Sequence, residues 1–451
     1  MNVIAVFDIG KTNKKILLFT EKYELVEMNE EKFETITDDD GFECDDIERI
    51  EKWIISSLTS VIENSKYTLK AVNFSTYGAT LVFLDENGKR VTPLYNYLKP
   101  VPENIQNNLF DRNDGREEFC RKTASPALGL LLNTGIQMLW LKNKKPDVFA
   151  RVANILNFPQ YLSYLLTNKT VAEPTFLGCH TFLWDFDKNQ YHEWVKEEGF
   201  ELDQPIDSDT VYEVELAGKK FMAGVGIHDS SASLVPYLLG VKEKFVLVST
   251  GTWCVSMNPF NEEPLTAGEL ANNCLKYLSI YQKPVKSTMY FMGHIHDVNV
   301  ERIQKHFKVD KKAYQKVVLD MEFTNLLFEE QDRVFFKHGT PETHVDTDVD
   351  LDQFENFDIA YHQFMYDLTL ECAKYLKITL PKKDDVESLI VTGGFARNPM
   401  FIQNLIRLFP DKKLFTSEID NATALGAAMV CVSRMSGDKN KEIDLGLKLW
   451  N

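Results

Sequence analysis

Residues 2–19, NVIAVFDIGKTNKKILLF, decide the fold class of this chain. A β-branched apolar run ends in DIG, a polar turn KTNKK follows, and ILLF resumes the apolar pattern. Two strands joined by a short polar turn are the expected structure. Residues 241–258, VKEKFVLVSTGTWCVSMN, repeat the theme with the small-residue turn STGT. The recurrence indicates an internal duplication of pattern, without a repeat of individual residues.

The sequence around the first unit alternates between helix and strand patterns. Apolar residues recur at helical spacing over 45–64, and Asp45 and Asp46 suit the start of that helix. Residues 69–76, LKAVNFST, have the composition of a third strand, and the ENG sequence at 86–88 predicts a hairpin. The opening is therefore mixed α/β rather than a strict βαβ repeat.

The remaining sequence predicts further elements of both kinds. They are a mostly helical region, a strand–turn–helix unit, a surface loop, a long amphipathic helix and a closing helix, at 115–200, 221–240, 340–358, 355–379 and 421–435 respectively.

Length and charge limit the classes of protein. With 451 residues the chain is long for one domain, and the duplicated pattern predicts a boundary between 1–240 and 241–451. A formal net charge of −17 argues against general binding of nucleic acid or anionic membranes, but not against ATP. The seven cysteines form no CxxC pair, which is typical of reduced thiols. No signal peptide or spanning apolar run is recognised, so we expect a cytoplasmic protein.

The two strand-joining turns are candidate phosphate sites. Asp8, at the end of a buried strand, could hold a hydrated Mg²⁺, and small residues let backbone N–H groups approach phosphates. Thr250, Gly251 and Thr252 form the second such turn. Taken alone, each is better explained as an ordinary hairpin turn, so the argument depends on their occurring together.

A third candidate is GIHD at 226–229, which leads into SSASLVPYLLG. Asp229, at a strand-to-helix junction, fits either a helix N-cap or a general base that accepts a proton from a substrate hydroxyl. His228 beside it is more typical of a structural hydrogen-bonding residue than of a catalyst.

The fourth candidate is VTGGFARN at 391–398, where a strand ends in Gly393 and Gly394. Paired glycines permit the close approach of a flat ring or a phosphate. The chain has neither a GxGxxG nor a P-loop pattern. His294 and His296 lack a partner cluster, so loop or helix-cap positions are expected for them rather than a metal site.

In order and spacing, the four segments DIGKTNKK, GIHDSSAS, STGTW and TGGFARNPMFIQ resemble the motifs of the FGGY carbohydrate kinases, and the resemblance spans nearly the whole chain. HDSSASLVPYL and STGTWCVSMNPFNEEPLT are most similar to the rhamnulose and fuculose kinase branch. The resemblance implies an α/β fold of two actin-like, ribonuclease H-like ATPase domains with a cleft between them.

The resemblance also implies roles for individual residues. Asp229 would be the general base and Asp8 would position Mg²⁺. The residues implied for ATP phosphates are Thr12, Asn13, Thr250, Gly251 and Thr252, those for adenosine are Gly393, Gly394 and Asn398, and those for the sugar are Thr76, Tyr77, Gly78, His228 and Asp229.

The chain departs from the family at one substrate segment. Many members have W-x-D-x-R there, whereas this chain has YNYLK at 95–99, with Tyr97 and Lys99 in the places of the Asp and Arg. An aromatic ring and a lysine could still contact a polyol, but not as a carboxylate clamp. For Tyr77, stacking on a sugar and packing in the core are equally compatible with the sequence.

The leading hypothesis is a cytosolic kinase that transfers the γ-phosphoryl group of ATP to a small ketose such as L-fuculose, L-rhamnulose or xylulose. A non-catalytic nucleotide or sugar sensor on the same fold is the alternative. An actin-like assembly or chaperone ATPase fits less well, because no peptide-binding domain is recognised. The expected partners are the sugar and ATP, not nucleic acid or membrane, and a homodimer is left open.

Overall fold

The opening stretch forms two antiparallel strands, as its sequence predicts, in the computed structural model, which describes residues 1–436 and 443–450. The strands, in chain order, are β1 (Asn2–Ile9), β2 (Lys14–Thr20), β3 (Leu25–Glu31), β4 (Ile36–Thr37), β5 (Glu43–Cys44), β6 (Thr68–Thr76), β7 (Leu81–Leu84), β8 (Asn154–Asn157), β9 (Trp184–Asp185), β10 (Gln190–Tyr191), β11 (Val211–Leu216), β12 (Lys219–Gly224), β13 (Ile227–His228), β14 (Phe245–Thr250), β15 (Cys254–Asn258), β16 (Cys274–Leu278), β17 (Pro284–Tyr290), β18 (Ser388–Gly393), β19 (Lys413–Ser417) and β20 (Lys448–Trp450).

The helices are α1 (Ile47–Glu63), α2 (Glu103–Asp111), α3 (Gly115–Lys122), α4 (Thr134–Lys144), α5 (Pro146–Phe149), α6 (Phe158–Thr167), α7 (Pro174–Leu177), α8 (Glu193–Glu197), α9 (Asp229–Gly240), α10 (Ala267–Ala271), α11 (Met292–Phe307), α12 (Met321–Glu330), α13 (Phe357–Thr379), α14 (Pro399–Leu408) and α15 (Ala422–Ser436). Short 3-10 helices lie at Ala313–Lys316, Leu351–Gln353 and Gly394–Arg397.

The first large sheet has the order β11-β12-β6-β1-β2-β3, with β13 beside β6. Its central strand β1 is antiparallel to β2 and parallel to β6. The residues from Val3 to Phe7 are completely buried. A strand buried on both faces reads as a continuous apolar run, which explains why the sequence of β1 predicts it clearly.

The second large sheet repeats this arrangement in the order β16-β17-β15-β14-β18-β19-β20. Its strand β14 is antiparallel to β15 and parallel to β18, as β1 is to β2 and β6. The predicted duplication of pattern is therefore confirmed. The boundary expected at residue 240 falls between the last strand of the first sheet and the first strand of the second. The division of the chain into two domains remains a prediction.

Two helices occupy the region between the sheets. On α9, Ala232 and Val235 pack with the first sheet and with α15, whereas Leu234 and Tyr237 pack with strands of the second sheet. The Tyr237 hydroxyl donates to Ser417 Oγ on β19 over 3.0 Å. Helix α15 follows the second sheet in sequence but packs against β1, β2 and β6 of the first. This crossing connects the helix that Asp229 begins to both halves of the chain.

Two local predictions are only partly right. The turn at 86–88 forms, with Gly88 N–H donating to Asp85 O over 3.0 Å, but the main partner of β7 is β8. The segment 340–358 is not simply a surface loop, because Asp346 is buried and accepts a hydrogen bond from Phe336 N–H over 2.6 Å. Acidic composition predicts exposure, and only the tertiary contacts reveal this exception.

Across the described residues, none of the helices combines the length and the apolar character that a bilayer crossing requires.

Candidate active site

Three parallel strand ends bring the first group of predicted site residues together. In the register, Ile9 of β1 lies opposite Thr76 of β6, and Thr76 lies opposite His228 of β13. Asp8 precedes Ile9, and Asp229 begins α9 immediately after β13. Because the carboxyl ends of parallel strands share one edge of the sheet, both aspartates lie at that edge.

The two aspartates influence each other electrostatically. Burial and the negative charge of Asp229 raise the pKa of Asp8 to about 6, although Lys15 partly opposes this effect. Lys15 is also 3.7 Å from Glu30 Oε2, so its charge is shared between two carboxylates. The edge of the sheet is therefore a place where an additional cation would be stabilised.

Asp229 is held in place but remains accessible. Its Oδ1 accepts a hydrogen bond from Ser230 N–H over 2.6 Å and lies 3.3 Å from His228 Nε2. The side chain is 35% exposed. The backbone N–H of His228 donates to Thr175 Oγ1 over 2.9 Å, which fixes the residue before α9. The N-cap alternative is wrong, because His228 occupies the N-cap position of α9 and Asp229 is the first residue of the helix. The accessible carboxylate fits a base that a substrate can reach.

The His228 ring is buried and lies against Gly78, one of the residues predicted to contact the sugar. A Cβ on Gly78 would lie 2.7 Å from His228 Nε2, so the absence of a side chain at Gly78 makes room for the ring. Burial disfavours protonation of His228, but Cys179 and Asp229 outweigh it and raise the pKa of His228 to about 9. The structure thus places the Nε2 atom of His228 beside the carboxylate of Asp229.

The first turn presents polar groups between β1 and β2. Gly10 N–H donates to Asn13 O over 2.9 Å and closes the turn, which leaves Thr12 exposed. Asn13 Oδ1 is buried and has no hydrogen-bond partner among the described residues. An unpartnered buried polar atom at the turn is compatible with a ligand there.

The second turn is fixed by hydrogen bonds to the neighbouring glycine motif. Thr250 Oγ1 donates to Thr392 O over 2.5 Å and accepts from Phe395 N–H over 3.0 Å. This hydroxyl therefore connects β14 to β18, while Gly251 and Thr252 are exposed at the tip. The structure places Thr250 as a support for the turn.

The glycine motif lies directly against this turn. A Cβ on Gly393 would lie 1.9 Å from Thr250 O, and Gly393 has a φ of 86°, so both space and conformation require glycine. Gly394 and Asn398 line a cavity of about 520 Å³. Asn398 Oδ1 accepts from Met400 N–H over 3.1 Å and caps α14.

His296 also lines this cavity, a position that the sequence did not indicate. His294 and His296 lie in α11, not in a loop. His296 is buried, and its Nε2 is 3.1 Å from the Tyr361 hydroxyl. The sequence could not indicate that His296 lines the cavity beside the glycine motif, because α11 and that motif are about a hundred residues apart.

Asp45 is a second residue that the sequence did not place at the site. Asp46 caps α1 as predicted, with its Oδ1 accepting from Arg49 N–H over 3.0 Å. Asp45 instead accepts hydrogen bonds from Lys11 Nζ, Lys14 Nζ and the Tyr77 hydroxyl over 2.6, 2.9 and 2.8 Å. The Tyr77 ring is buried, so the packing alternative is correct for most of its surface.

The expectation that Lys99 could contact a sugar is wrong. Lys99 is only 4% exposed, and its Nζ lies 2.5 Å from both Asp38 Oδ2 and Asp40 Oδ2. Lys145 also binds Asp39 and Asp40, over 2.7 and 2.9 Å. Two lysines thus pair with the three adjacent carboxylates and leave one net negative charge on the cluster. Tyr97, in contrast, is half-buried, and burial together with the charges of Asp45 and Asp229 raises its pKa.

We expect Lys99→Met to destabilise the protein without weakening sugar binding. Asp38 has no exposed side-chain surface, so the substitution leaves a buried carboxylate without its ion-pair partner, at a cost of about 3–5 kcal/mol. Thermal unfolding measures the loss, and the double variant Lys99→Met/Asp38→Asn should recover part of it. A stable Lys99→Met protein with a greatly raised KM for sugar would contradict this assignment.

The residues at the site fit both groups that the sequence implies. Asp8 offers carboxylate oxygens, the ligands that Mg²⁺ prefers, at an edge where negative charge is incompletely balanced. The exposed residues Thr12, Gly251 and Thr252 leave backbone and hydroxyl donors at the two turns open to phosphate oxygens. The cavity beside Gly394 is large enough for a nucleoside.

Comparison with known protein families matches both halves of the chain. Residues 3–197 match the N-terminal domain of the FGGY family of carbohydrate kinases, and residues 242–440 match the FGGY carbohydrate kinase C-terminal domain. Together these matches cover well over half of the sequence.

Individual relatives are more distant. A rhamnulokinase of Oceanobacillus iheyensis is 26% identical over 266 residues, which cover 54% of this chain and 54% of that protein. The chain therefore spans about half the length of the curated relatives it matches. A carbohydrate kinase structure from Novosphingobium aromaticivorans is 21% identical with a TM-score of 0.80, over 99% of this chain and 95% of that one. A ligand-bound xylulose kinase from Lactobacillus acidophilus is 14% identical with a TM-score of 0.75, over 100% and 93%. These structures have the same two-domain, actin-like fold that the sequence predicts.

Proposed function

Because the chain belongs to the FGGY family of carbohydrate kinases, we propose that it transfers the γ-phosphoryl group of ATP to a hydroxyl of a small ketose, with Asp229 as general base. One observation carries the proposal. An accessible carboxylate, Asp229, lies at the sheet edge where Asp8 and the first turn also meet.

The chemistry follows from this placement. Asp229 accepts the proton of the acceptor hydroxyl as that oxygen bonds to the γ-phosphorus. The bond from the γ-phosphorus to the bridging oxygen breaks, and ADP leaves with the electron pair. Phosphoryl transfer depends mainly on positioning and on stabilising charge. His228 Nε2 lies 3.3 Å from Asp229 Oδ1 and orients the base.

The two turns hold the phosphates from opposite sides. Thr12 and Asn13 contribute from the first sheet, and Gly251 and Thr252 from the second, with Thr250 supporting the second turn. Gly393, Gly394 and Asn398 border the adenosine. Because the reacting groups come from both sheets, closing the cleft between them excludes water and limits wasteful hydrolysis of ATP.

Asp8 is the residue that would hold Mg²⁺, either directly or through water. When bound, the ion neutralises phosphate charge at the transferring group. Thr76, Tyr77 and Gly78 form the acceptor side of the site, where Gly78 leaves space for His228.

A ketose of the rhamnulose, fuculose or xylulose type is the proposed acceptor, since similarity to rhamnulokinases supports this class. Release of ADP from Mg²⁺-ATP tests it, measured against a panel of ketoses, polyols and aldoses. Release that depends on one sugar is the expected result. Stabilisation by a sugar without turnover would favour a sensor, and steady hydrolysis without sugar would favour an assembly or chaperone ATPase.

We expect Asp8→Ala to impair the use of Mg²⁺-ATP. Loss of the carboxylate removes the oxygen ligand at the edge of the sheet, so the Mg²⁺ concentration for half-maximal activity should rise at least about tenfold. A titration of activity with Mg²⁺ at constant ATP measures this. A wild-type Mg²⁺ dependence in the variant would remove Asp8 from the metal site.

A further inference from the structure

A buried ion cluster around Asp45 lies beside the proposed sugar site. Asp45 is 5% exposed, and its two oxygens bind Lys11 and Lys14 over 2.6 and 2.9 Å. Burial opposes ionisation, but the two lysines outweigh it and hold the pKa of Asp45 below its usual value. Lys14 also donates to Lys11 O over 2.9 Å. Both the backbone and the side chain of Lys11 are therefore fixed.

The Lys11 ammonium lies between two aromatic rings. Its Nζ is 5.2 Å from the centroid of the Tyr77 ring and 5.4 Å from that of Tyr97. The rings lie edge to face, with centroids 5.9 Å apart. Tyr77 directly follows Thr76, which lies opposite His228 in the strand register, so this aromatic corner lies at the same strand ends as Asp229.

Lys11 retains capacity for a ligand. An ammonium has three donors, and the side-chain hydrogen bond observed for Lys11 among the described residues uses one of them, with Asp45. Its side chain is 28% exposed, whereas that of Lys14 is 1% exposed. Lys14 is thus a structural partner of Asp45, and Lys11 is the member of the cluster that solvent or substrate can reach.

We propose that Lys11 binds hydroxyl oxygens of the acceptor sugar and that Asp45 is the positioning residue that aims it. The inference rests on the proposed kinase function and names the group that determines acceptor binding. It also accounts for the departure at 95–99. The family's Asp and Arg are absent from that segment. In this chain Lys11 supplies the cation and Asp45 supplies the carboxylate. Both contact the aromatic corner that Tyr77 and Tyr97 form.

Lys11 serves in this site as a hydrogen-bond donor held in a paired cluster. Asp45 pairs with both Lys11 and Lys14, so the three side chains together keep one net positive charge. The acceptor class is a ketose or polyol with adjacent hydroxyls that the free donors of Lys11 can bridge.

The test is direct binding of sugar without nucleotide, by titration calorimetry, using the sugar that gives the highest ADP release with the wild-type protein. Lys11→Met should weaken sugar binding about 10- to 100-fold, because the sugar hydroxyls lose their hydrogen bonds with a charged donor. It should raise the KM for sugar correspondingly and change the KM for ATP little. The fold should survive, because Asp45 keeps Lys14 and Tyr77 as partners.

Three further variants distinguish sugar binding by Lys11 from a structural role and from a role in binding ATP. Lys11→Arg should recover most of the sugar affinity. Asp45→Asn should lower Tm, because the buried Lys14 loses its carboxylate partner, and should weaken sugar binding well below that Tm while Lys11 is intact. Lys15→Met, on β2 opposite Asp8, should affect the ATP step and not sugar affinity. Unchanged sugar affinity in Lys11→Met, or a raised KM for ATP alone, would overturn the inference. A wild-type protein that phosphorylates no sugar would instead overturn the proposed function and this inference with it.

Discussion

Asp229→Asn is expected to lower kcat about 100- to 10,000-fold while ATP binding and the fold are retained. An amide has nearly the shape of the carboxylate but cannot accept the hydroxyl proton, and general base catalysis contributes about 10²–10⁴-fold. The side chain is 35% exposed, and the amide oxygen can still accept from Ser230 N–H, so little stability is at risk. Sugar-dependent ADP release measures the loss, and calorimetry with ATP measures nucleotide binding.

The matched control is Asp358→Asn. Asp358 is an exposed carboxylate in the first turn of α13, so it reproduces the loss of negative charge at a helix start. Its variant should turn over at the wild-type rate. If Asp229→Asn retains more than about a tenth of wild-type turnover, Asp229 is not the base. If it loses ATP binding as well, its role is structural.

The candidate residues whose positions in the fold the sequence predicted are those at the ends of apolar strands. Asp8 and Thr250 follow continuous buried runs, and in a sheet the strand end fixes where the next residues lie. Asp229 follows a very short strand, but the turn before it and the helix after it have clear local patterns. Local sequence therefore determined which elements form, and the strand register brought these residues to one edge.

The residues that sequence reasoning misplaced depend on contacts between distant segments. Asp45 has the local pattern of a helix start, yet its partners lie 31 to 34 residues away along the chain. Lys99 has the position of a substrate residue, but Asp38 and Asp40 bind it from 61 and 59 residues away. Ion pairs of this kind have no periodicity, so only the folded arrangement reveals which charges are neutralised.

The sequence also gave no indication that α9 and α15 cross. Their close approach requires glycine at position 426 (Gly426). A Cβ there would lie 1.9 Å from Ala232 O and 3.1 Å from Val235 Cβ on α9. The nearest atom is backbone, so no side-chain rotation relieves the contact. Since α9 begins at Asp229, any shift of this helix also moves the proposed base.

We therefore expect Gly426→Ala to reduce both stability and turnover. Separating the helices loosens the packing between the sheets and costs about 3 kcal/mol, which corresponds to several degrees in Tm. A displacement of Asp229 by about 1 Å would lower kcat about 100-fold even well below Tm. Thermal unfolding and sugar-dependent ADP release at low temperature measure the two effects separately.

Gly268→Ala is the matched control, because Gly268 lies in α10 and a Cβ added there would meet no described atom within 4 Å. Alanine is favoured over glycine in a helix by about 1 kcal/mol, so this variant should melt at or slightly above the wild-type temperature with normal turnover. If Gly426→Ala also behaves this way, the two helices can separate without cost, and α9 does not transmit the packing of α15 to Asp229. If it is destabilised but fully active at low temperature, the crossing supports the fold alone, and the position of Asp229 is set by the Thr175 and His228 contacts instead.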